Sequence, residues 1–364
     1  MHTAIVILNW NTVGYLKRFL PGLINSIQGE DAEIIVADNA SSDGSLAMLK
    51  EHFPDIRTIP LDRNYGFTGG YNKALEQIEA DIFILINSDI EVSEGWLAPI
   101  VNTMQAYPEL GACAPKLHSW YEKDQFEYAG AAGGYIDRFG FPFCRGRVMS
   151  FVEKDYGQYD NNDDLFWVSG ACFAIRSGLF RKLGGFDNRF FAHMEEIDLC
   201  WRIQLAGYKI RLVPESVVWH IGGGTLPSTS PLKLKLNFRN NLLMLEKNCG
   251  KTYALREYNK ANGTKSIDRI ANEAARKADR CIFIRMMLDY IAAAAYLATF
   301  RYDKFKATLE AHSEYHELSR TVSADEIAAF IKTMGKVEVQ GITKKSMILS
   351  RLIYGKKVFK HIYK

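Results

Sequence analysis

The sequence predicts an α/β fold, in which a mostly parallel, Rossmann-like sheet is flanked by helices and followed by a C-terminal helical appendage. Short apolar runs alternate with amphipathic segments through the first hundred residues, and polar clusters follow those runs directly. Such alternation is typical of βαβ units, whose strands lie parallel. Beyond residue 230 the chain is rich in Lys and Arg and has a helical pattern.

Each apolar run of the N-terminal region predicts a strand, and each amphipathic segment between two runs predicts a helix. Strands are expected at Ala4–Leu8, Glu33–Ala37, Arg57–Leu61 and Asp81–Ile86. Helices are expected at Tyr15–Ile27, Ser45–His52 and Gly70–Ile78. Because ligands bind beyond the carboxyl ends of the strands in such sheets, the polar clusters after these strands mark the expected site.

The pattern is less regular beyond residue 117. Residues 118–164 are expected to form loops rich in Gly, aromatic and Asp/Asn residues, where substrate contacts or mobile lids are common. A strand at Trp167–Arg176, a helix within Phe191–Ala206 and a strand at Val217–Trp219 follow. We therefore expect a large N-terminal domain, residues 1–250, and a helical C-terminal region, residues 251–364.

Composition argues against several classes of protein. Hydrophobic residues make up 48% of the 364 residues, and the net charge is only +3 without a basic stripe, so nucleic acid is not an expected partner. The six cysteines lie far apart and are expected to be reduced and mostly buried. Arg285 and Asp289 interrupt the apolar stretch Ile282–Phe300, which favours a packed helix over a membrane span.

Two residues at strand ends could hold a divalent cation. Asp89 follows an apolar strand with no intervening turn, and a cation bound to a nucleotide diphosphate needs only one or two protein carboxylates. His220 ends a strand and precedes glycines at 222–224, which let the backbone pass close to phosphates. The alternatives are a turn or capping role for Asp89 and a structural role for His220.

The same strand ends supply candidate contacts to a nucleotide. Asp38 follows the second strand, where a carboxylate can accept a hydrogen bond from a pyrimidine imide N–H. The alternative is turn chemistry, which residues 39–43 also suit. The other candidate contacts in the polar clusters are Asn9, Asn11, Asn64, Gly66, Asn87 and Ser88.

Glu195 and Glu196 are the candidate catalytic carboxylates. They are adjacent near the expected start of a helix, where the helix dipole favours the ionised form that a proton acceptor needs. Adjacent residues diverge by about 100° around a helix, so only one of them can face a cleft squarely. The alternative is ordinary acidic enrichment of a first helical turn.

Taken together, in this order and spacing, these segments resemble family 2 inverting glycosyltransferases of the GT-A fold, especially their rhamnosyltransferase-like branch. The resemblance covers residues 3 to about 250. The matching stretches are Val6–Asn11, Asp38–Ser45, Asn64–Phe67 through Asn72, Asn87–Asp89, Gly170–Phe173, Gly185–Asp187, Glu195–Arg202 and His220.

The resemblance implies a role for individual residues. Asp38 looks like the carboxylate that recognises the base, Asp89 like the last acid of the metal motif, Glu196 like the general base and His220 like a late contact to metal or diphosphate. Two positions depart from the common pattern: Asn87 stands where the metal motif often begins with Asp, and Glu195-Glu196 replaces the usual Glu-Asp. The second departure leaves open which of the two glutamates is the base.

The implied activity is metal-dependent transfer of a sugar, with inversion, from a nucleotide-sugar to an acceptor hydroxyl on a glycan or lipid-linked glycan. It requires Mg²⁺ or Mn²⁺, and dTDP-rhamnose is the first donor to consider. A UDP-hexose or UDP-N-acetylhexosamine donor is the alternative within the same class. A sugar nucleotidyltransferase and a non-catalytic carbohydrate-binding protein are the alternatives from other classes.

The basic charge is concentrated at the C-terminal end. Residues 336–364 contain eight Lys or Arg and one acid, with apolar residues such as Leu349 and Phe359 between them. This tail could hold the enzyme on an anionic membrane surface, and the alternative is a solvated terminal helix. The chain reaches its first strand within a few residues, so a cytoplasmic location is expected, with possible membrane contact at the cytoplasmic face. The sequence does not indicate the oligomeric state.

Overall fold

The computed structural model describes residues 1–128, 130–161, 163–222, 230–352, 355 and 359. The strands are β1 (Thr3–Asn9), β2 (Ala32–Asp38), β3 (Arg57–Pro60), β4 (Ile82–Ile86), β5 (Ile90–Val92), β6 (Leu110–Ser119), β7 (Gly134–Asp137), β8 (Pro142–Cys144), β9 (Arg147–Val148), β10 (Phe151–Val152), β11 (Cys172–Arg176), β12 (Lys209–His220) and β13 (Ile342–Thr343). The helices are α1 (Val13–Ser26), α2 (Ser45–His52), α3 (Gly66–Leu75), α4 (Leu97–Ala106), α5 (Ser177–Lys182), α6 (Glu195–Leu205), α7 (Pro231–Ala261), α8 (Ile267–Ala298), α9 (Tyr302–Leu318), α10 (Ala324–Met334) and α11 (Met347–Leu352).

Within the described residues, a large sheet of eight strands has the order β3-β2-β1-β4-β11-β6-β12-β5. Neighbouring strands from β3 to β4 are parallel, β11 runs antiparallel to both of its neighbours, β6 and β12 are parallel, and β5 is antiparallel to β12. The carboxyl ends of β1, β2 and β4 therefore lie at one edge. The α/β fold with a mostly parallel sheet is confirmed.

The strands of this sheet are buried because helices or loops cover both faces. All five residues of β4 are buried, and their continuous apolar run is typical of a central parallel strand. Successive residues of β1 point to opposite faces: Ile5 and Ile7 pack with α1, α2 and α4, whereas Ala4 and Val6 pack with α3, α5 and α6. The sheet is thus a rigid base for the loops at its carboxyl edge.

Residues 118–164 were expected to form loops, and the structure corrects this expectation. The segment contributes β7 to β10, which join β13 in a five-stranded sheet of order β10-β9-β8-β7-β13. These strands are two to four residues long, too short to produce a recognisable alternation. The tight turns between them use Gly140 and Gly146, whose φ angles are 81° and 85°.

Two element boundaries also differ from the prediction. The strand expected at Trp167–Arg176 begins only at Cys172, because the hydroxyl of Ser169 accepts a hydrogen bond from Ala171 N and turns the preceding chain. The helix expected at Gly70–Ile78 begins four residues earlier, at Gly66. Its glycines gave the appearance of a loop, but they permit close packing within a helix.

The C-terminal region consists of long helices packed on one another. Helix α7 contacts α6, α8, α9 and α10, which joins this region to the sheet. Residue 250 lies inside α7, and a division of the chain there stays a proposal. All six cysteines are buried and free, as expected. Among the described helices, α8 is the one long and apolar enough to cross a membrane by length and composition.

Candidate active site

Asp38 and Asn9 end β2 and β1 and are paired across the two strands. Asn9 Nδ2 donates to Asp38 Oδ1 at 2.7 Å, and the backbone N–H of Ser41 donates to Asp38 Oδ2 at 2.9 Å. Asp38 is fully buried and holds the loop after β2 in place, so it does perform turn chemistry. Each of its carboxylate oxygens keeps a further lone pair with which to accept a hydrogen bond.

A chain of hydrogen bonds joins this pair to the end of β4. Thr12 Oγ1 lies 2.5 Å from Asn9 Oδ1 and 2.8 Å from Ser88 Oγ. Because an amide oxygen can only accept, Thr12 donates to Asn9 and accepts from Ser88. The polar groups at the ends of β1, β2 and β4 therefore form one connected network at the sheet edge.

The loops after β1 and β3 are fastened to the loop after β2. Asn11 Oδ1 accepts a hydrogen bond from the backbone N–H of Ser42 at 2.7 Å. Asn39 Nδ2 donates to Asn64 Oδ1 and to the carbonyl of Gly66, both at 3.0 Å. Asn39 is a network member that the sequence analysis did not single out. Its position directly after Asp38 is the signal that could have identified it.

The segment that leads into α6 is conformationally strained. Phe191, His193 and Met194 have φ angles of 62°, 71° and 69°, a region that costs about 1–3 kcal/mol for a residue other than glycine. Gly66, with φ of 70°, lies against this segment, since a Cβ there would be 2.4 Å from the Phe191 ring. The backbone N–H of Phe67 donates to the Phe191 carbonyl at 2.8 Å. Through these contacts the segment before α6 packs on the beginning of α3.

His220 lies between two carboxylates. Its Nε2 is 3.2 Å from Asp89 Oδ1, and its Nδ1 is 3.4 Å from Glu127 Oε1. Asn87 Nδ2 is 3.4 Å from the same Nε2. All three members of the Asp89–His220–Glu127 cluster are buried. The structure thus brings together the two expected metal ligands and adds Glu127, which lies in a segment where the sequence pattern was irregular.

The charged groups of this cluster stabilise one another's ionised forms. Burial lowers the pKa of His220, but the hydrogen bonds and charges of Asp89 and Glu127 outweigh it and raise that pKa to about 10. Burial also disfavours ionised Asp89, yet the His220 hydrogen bond and charge bring the Asp89 pKa below its ordinary value. Without a metal the imidazole is therefore protonated near neutral pH, and a cation that binds it must displace a proton.

A divalent cation fits this cluster only with help from a ligand. Across the part of the chain that the structure describes, no group of three or more His, Cys, Asp or Glu is arranged to hold a metal by itself. Asp89 supplies a hard oxygen and His220 a nitrogen, and their facing atoms are 3.2 Å apart. Magnesium commonly has one or two protein carboxylates and takes its other ligands from phosphates and water. The donor set fits a cation that arrives with a diphosphate.

Glu195 and Glu196 begin α6 and differ in accessibility. Glu195 is buried, whereas Glu196 is partly exposed. One carboxylate oxygen of each, Oε2, is buried with no hydrogen-bond partner among the described residues. Burial raises the pKa of Glu196 to about 7, and burial followed by the charge of Glu196 raises the pKa of Glu195 well above its ordinary value.

Contacts place Glu196 beside the end of β4. A Cβ added at Gly170 would lie 3.5 Å from Glu196 Cβ and 3.7 Å from its Cδ. The next residue, Ala171, accepts a hydrogen bond from the backbone N–H of Asn87 at 2.8 Å. Asn87 in turn contacts His220. Glu196 is therefore joined to the metal-binding candidates through Gly170, Ala171 and Asn87.

Lys233, near the beginning of α7, was also not singled out from the sequence. Burial lowers its pKa, while the charge of Glu127 raises it. Burial and then the charge of Lys233 lower the pKa of His193 to about 4. The lysine is therefore within electrostatic range of both Glu127 and His193. No ion pair of its ammonium is found among the residues that the structure describes.

The residues expected at the site lie along one edge of the sheet. The network of Asn9, Asp38 and Ser88 is continuous with the loops of Asn11, Asn64 and Gly66. Further along the edge, Asn87, Asp89 and His220 form a second group. Glu196 adjoins this group through Gly170. The glycines at 223–224, expected to approach phosphates, lie outside the described residues.

Residues 4–184 match the family model of glycosyl transferase family 2. The chain therefore contains a family 2 glycosyltransferase domain, which includes every strand-end residue from Asn9 to Asp89. This match confirms the resemblance seen in the sequence. The segment of α6 and His220 lies beyond the matched residues.

Curated relatives agree with this classification. An N-acetylglucosaminyl-diphospho-decaprenol L-rhamnosyltransferase of Mycobacterium tuberculosis is 25% identical over 234 residues, which cover 59% of this chain and 75% of the relative. The rhamnosyltransferase WbbL of Escherichia coli K12 is 26% identical over 219 residues, covering 58% of this chain and 80% of the relative.

Among solved structures, that of GalNAc-T7 with UDP, GalNAc and Mn²⁺ is similar, with a TM-score of 0.54 at 17% identity. The alignment covers 77% of this chain and 54% of GalNAc-T7, so this chain spans about half the length of that protein. At this identity the likeness concerns the fold alone, and it confirms the GT-A type of architecture.

Proposed function

We propose that this protein is a metal-dependent inverting glycosyltransferase that moves a sugar from a nucleotide-sugar to an acceptor hydroxyl on a glycan or lipid-linked glycan. The observation that carries the proposal is the proximity of two unlike carboxylate sites at one sheet edge. Asp89 is ionised and paired with His220, whereas Glu196 has a raised pKa and an unpartnered oxygen. Sugar transfer needs a site for the diphosphate and a separate base.

The strand-end network is suited to the nucleotide. Asp38 accepts from the base, and its fixed position comes from Asn9 and Ser41. Asn11, Asn64 and Gly66 border the same edge and contact the remainder of the nucleotide-sugar. Asn87 and Ser88 adjoin the diphosphate end. Since most of these groups are already held in place by hydrogen bonds, little reorganisation accompanies donor binding.

The diphosphate lies against the Asp89–His220–Glu127 cluster. Asp89 and neutral His220 would hold Mg²⁺ or Mn²⁺, and such a cation would supply stabilisation of the charge on the departing diphosphate. Glu127 Oε1 faces His220 Nδ1 at 3.4 Å and so would direct Nε2 towards the metal side. Lys233 adds positive charge near the same end of the site. The crystal structure of GalNAc-T7 contains Mn²⁺ together with UDP, which supports the choice of a divalent cation.

Glu196 acts as the general base. It reaches the edge of the site because it is partly exposed, while Glu195 is buried behind it. A pKa of about 7 lets the carboxylate be ionised at neutral pH and still accept the acceptor's proton readily. The acceptor oxygen then attacks the anomeric carbon as the bond to the diphosphate breaks, which inverts the configuration.

Rhamnose from dTDP-rhamnose is the first donor to test. Both curated relatives described above are named rhamnosyltransferases, and this supports rhamnose over other sugars. UDP-hexose and UDP-N-acetylhexosamine are the second candidates, because GalNAc-T7 was crystallised with UDP and GalNAc. The role would be the assembly of surface polysaccharide.

The acceptor is proposed to be a lipid-linked glycan at the cytoplasmic face of the membrane. The name of the mycobacterial relative contains a polyprenyl diphosphate acceptor, which supports this choice. The basic tail, residues 336–364, could assist attachment. Phe359, expected to insert into lipid, is instead buried against Tyr135 and Phe143, with ring centroids 4.8 and 5.8 Å away. Most of the tail beyond residue 352 lies outside the described residues.

A donor screen tests the proposal. The full chain is incubated with dTDP-rhamnose, UDP-glucose, UDP-galactose, UDP-N-acetylglucosamine or UDP-N-acetylgalactosamine and an undecaprenyl-diphosphate N-acetylglucosamine acceptor. Release of nucleoside diphosphate is measured with Mg²⁺, Mn²⁺ or EDTA, and the anomeric configuration of the product is determined by NMR. We expect metal-dependent release from dTDP-rhamnose above all.

Each outcome decides one part of the proposal. Preference for a UDP-sugar would replace the donor but keep the reaction class. Full activity in EDTA would remove the metal role of Asp89 and His220, and retention of configuration would remove the role of Glu196. Failure of every donor to bind, measured by calorimetry with Mn²⁺, would overturn the assignment as a transferase.

A further inference from the structure

The C-terminal half of helix α8 carries its charged residues inside and large apolar residues outside. Arg285 and Asp289 are buried, and Arg285 Nε donates to Asp289 Oδ1 at 2.8 Å. Asp289 Oδ2 is 3.3 Å from Nε2 of buried His312 in α9, and Arg285 also donates to Asn241 of α7. This network fixes the inward face of α8 against its two neighbours.

The outward face of the same turns is apolar. Phe283, Met287 and Ile291 succeed one another at four-residue spacing and are 60%, 40% and 66% exposed. Side chains at this spacing form one row along a helix. In a water-exposed helix the polar face ordinarily points outward, so the polarity of α8 is the reverse of that expected for a helix that faces only water.

The apolar row continues to the turn between α8 and α9. Leu297, Phe300 and Tyr302 are exposed there, and Phe300 has 78% of its surface accessible. The backbone of Phe300 has a φ of 57°, an unfavourable value for a residue other than glycine. We name the surface formed by Phe283, Met287, Ile291, Leu297, Phe300 and Tyr302 the α8 face. A contiguous apolar surface of this kind marks a contact with a partner or a membrane.

We propose that the α8 face lies on an anionic lipid bilayer, with its apolar side chains at the boundary of headgroups and acyl chains. Apart from the buried Arg285–Asp289 pair, residues 276–306 contain six basic and two acidic residues, a net of +4. Arg276 and Arg280 precede the apolar row, and Arg301 and Lys304 follow it. Cations that flank an apolar face in this way attract anionic headgroups.

The aromatic residues at the α8–α9 turn favour lipid over a second copy of the chain. Tyr296 lies within cation–π distance of Arg301 and Lys304, at 5.6 and 5.9 Å, and Tyr302 packs against Phe300. Tyrosine and basic residues together are typical of the bilayer interface. Two copies that met through this surface would bring like charges together. The buried Arg285–Asp289 pair also shows why α8 lies on the surface rather than spanning the bilayer.

The arrangement of the helices sets the orientation relative to the site. Arg285 contacts Asn241, and Ala278 lies opposite Gly250, so α8 runs antiparallel to α7. The C-terminal half of α8 therefore lies beside the N-terminal half of α7, which begins shortly after His220. Lipid contact through the α8 face would bring the active-site end of α7 towards the membrane. This last step rests on the proposed function, whereas the lipid contact does not.

Vesicle co-sedimentation of the full chain tests the proposal. The probes are vesicles of phosphatidylcholine alone and of phosphatidylcholine with about 30% phosphatidylglycerol. The variant carries Phe283→Glu and Ile291→Glu, both at outward positions. The matched control is Tyr156→Glu, since Tyr156 is 81% exposed but lies far from α8 in the sequence. We expect the double variant to lower the partition coefficient for anionic vesicles at least ~10-fold, with the control unchanged.

Two further measurements distinguish lipid contact from misfolding and from self-association. Circular dichroism must show the same helix content in all variants, and light scattering gives the mass of each in solution. Equal sedimentation of the wild type and double variant would overturn the proposal, as would no sedimentation of the wild type. A dimer that the double variant converts to a monomer would assign the α8 face to a second copy instead. None of these readouts requires sugar transfer, so their failure would leave the proposed activity standing.

Discussion

The two carboxylate sites at the sheet edge differ in whether their carboxylate oxygens have hydrogen-bond partners. On the proposed donor side, Asp38 and Asp89 have partners at short distance, and the hydrogen bond and charge of His220 outweigh burial and keep the pKa of Asp89 below its ordinary value. On the acceptor side, Glu195 and Glu196 each have a buried oxygen without a partner among the described residues, and burial raises their pKa values. A carboxylate with fixed partners is suited to hold a ligand, whereas one without partners is ready to take a proton.

The difference follows from where the residues are anchored. The donor-side groups end strands whose register fixes their neighbours, so each finds a partner from the adjacent strand. The glutamates begin α6 after a strained segment, and one oxygen of each is buried there without a partner among the described residues. The strain would be unfavourable in an ordinary loop. Here it is offset by the packing of that segment on α3.

Replacement of Glu196 by Gln should have the largest effect on activity and tests the contrast between the two sites most directly. The amide keeps the shape but cannot accept the proton, so kcat should fall by up to ~10⁴-fold with little change in KM for the donor. Initial rates with saturating donor and metal provide the measurement. Glu195→Gln is the matched control and should lose less than ~10-fold. The reverse ranking of the two variants would transfer the role of base to Glu195.

On the donor side, Asp89→Asn should reduce activity by about 10³-fold, because stabilisation by a metal contributes several kcal/mol to the transition state. The variant should also bind Mn²⁺ more weakly in the presence of nucleoside diphosphate, as measured by electron paramagnetic resonance. Asp43→Asn is a suitable comparison, since Asp43 holds the backbone N–H of Val13 in the same loop system. Unchanged Mn²⁺ binding in Asp89→Asn would place the cation elsewhere.

The donor side could be anticipated from the sequence because its residues are local. Asn9, Asp38 and Asp89 each follow an apolar strand directly, and parallel strands bring their carboxyl ends together. The pattern thus predicts both the sheet and its functional edge. It predicts the wrong start for α3 because the glycines there, which allow close contact with Phe191, resemble loop residues.

The remaining features depend on contacts between distant parts of the chain. Glu127 comes within reach of His220 because the chain after β6 turns back on that strand, where the backbone N–H of Glu127 donates to the Leu117 carbonyl at 2.9 Å, and because β12, which ends at His220, is the neighbour of β6. No sequence period indicates this turn. The difference in accessibility between Glu195 and Glu196 depends on how α6 packs, with Glu196 beside Gly170. The reversed polarity of α8 is equally hidden, since an apolar stretch with Arg285 and Asp289 predicts packing but not which side faces out.

Substitution of Glu127 should have a smaller effect, and it tests whether this carboxylate orients His220. Glu127→Ala removes the group that faces His220 Nδ1 and should weaken the activating affinity for Mn²⁺ by about 10–100-fold. Glu127→Gln, which can still accept from Nδ1, should recover part of this loss. The measurement is a titration of rate against Mn²⁺ at fixed donor. Equal Mn²⁺ affinity in the wild type and Glu127→Ala would restrict Glu127 to a structural role.

The smallest expected effect is the dependence of kcat/KM on pH, which follows from the ionisation of Glu196. The base works in its ionised form, which is present above the pKa and is lost as the pH falls through it. With a Glu196 pKa of about 7, kcat/KM should reach half its plateau near pH 7 and decline about tenfold per unit below it. Because the two glutamates interact, this value belongs to the pair. The residual activity of Glu196→Gln should lack this limb. A profile still flat down to pH 5 would show that burial of α6 does not tune the base.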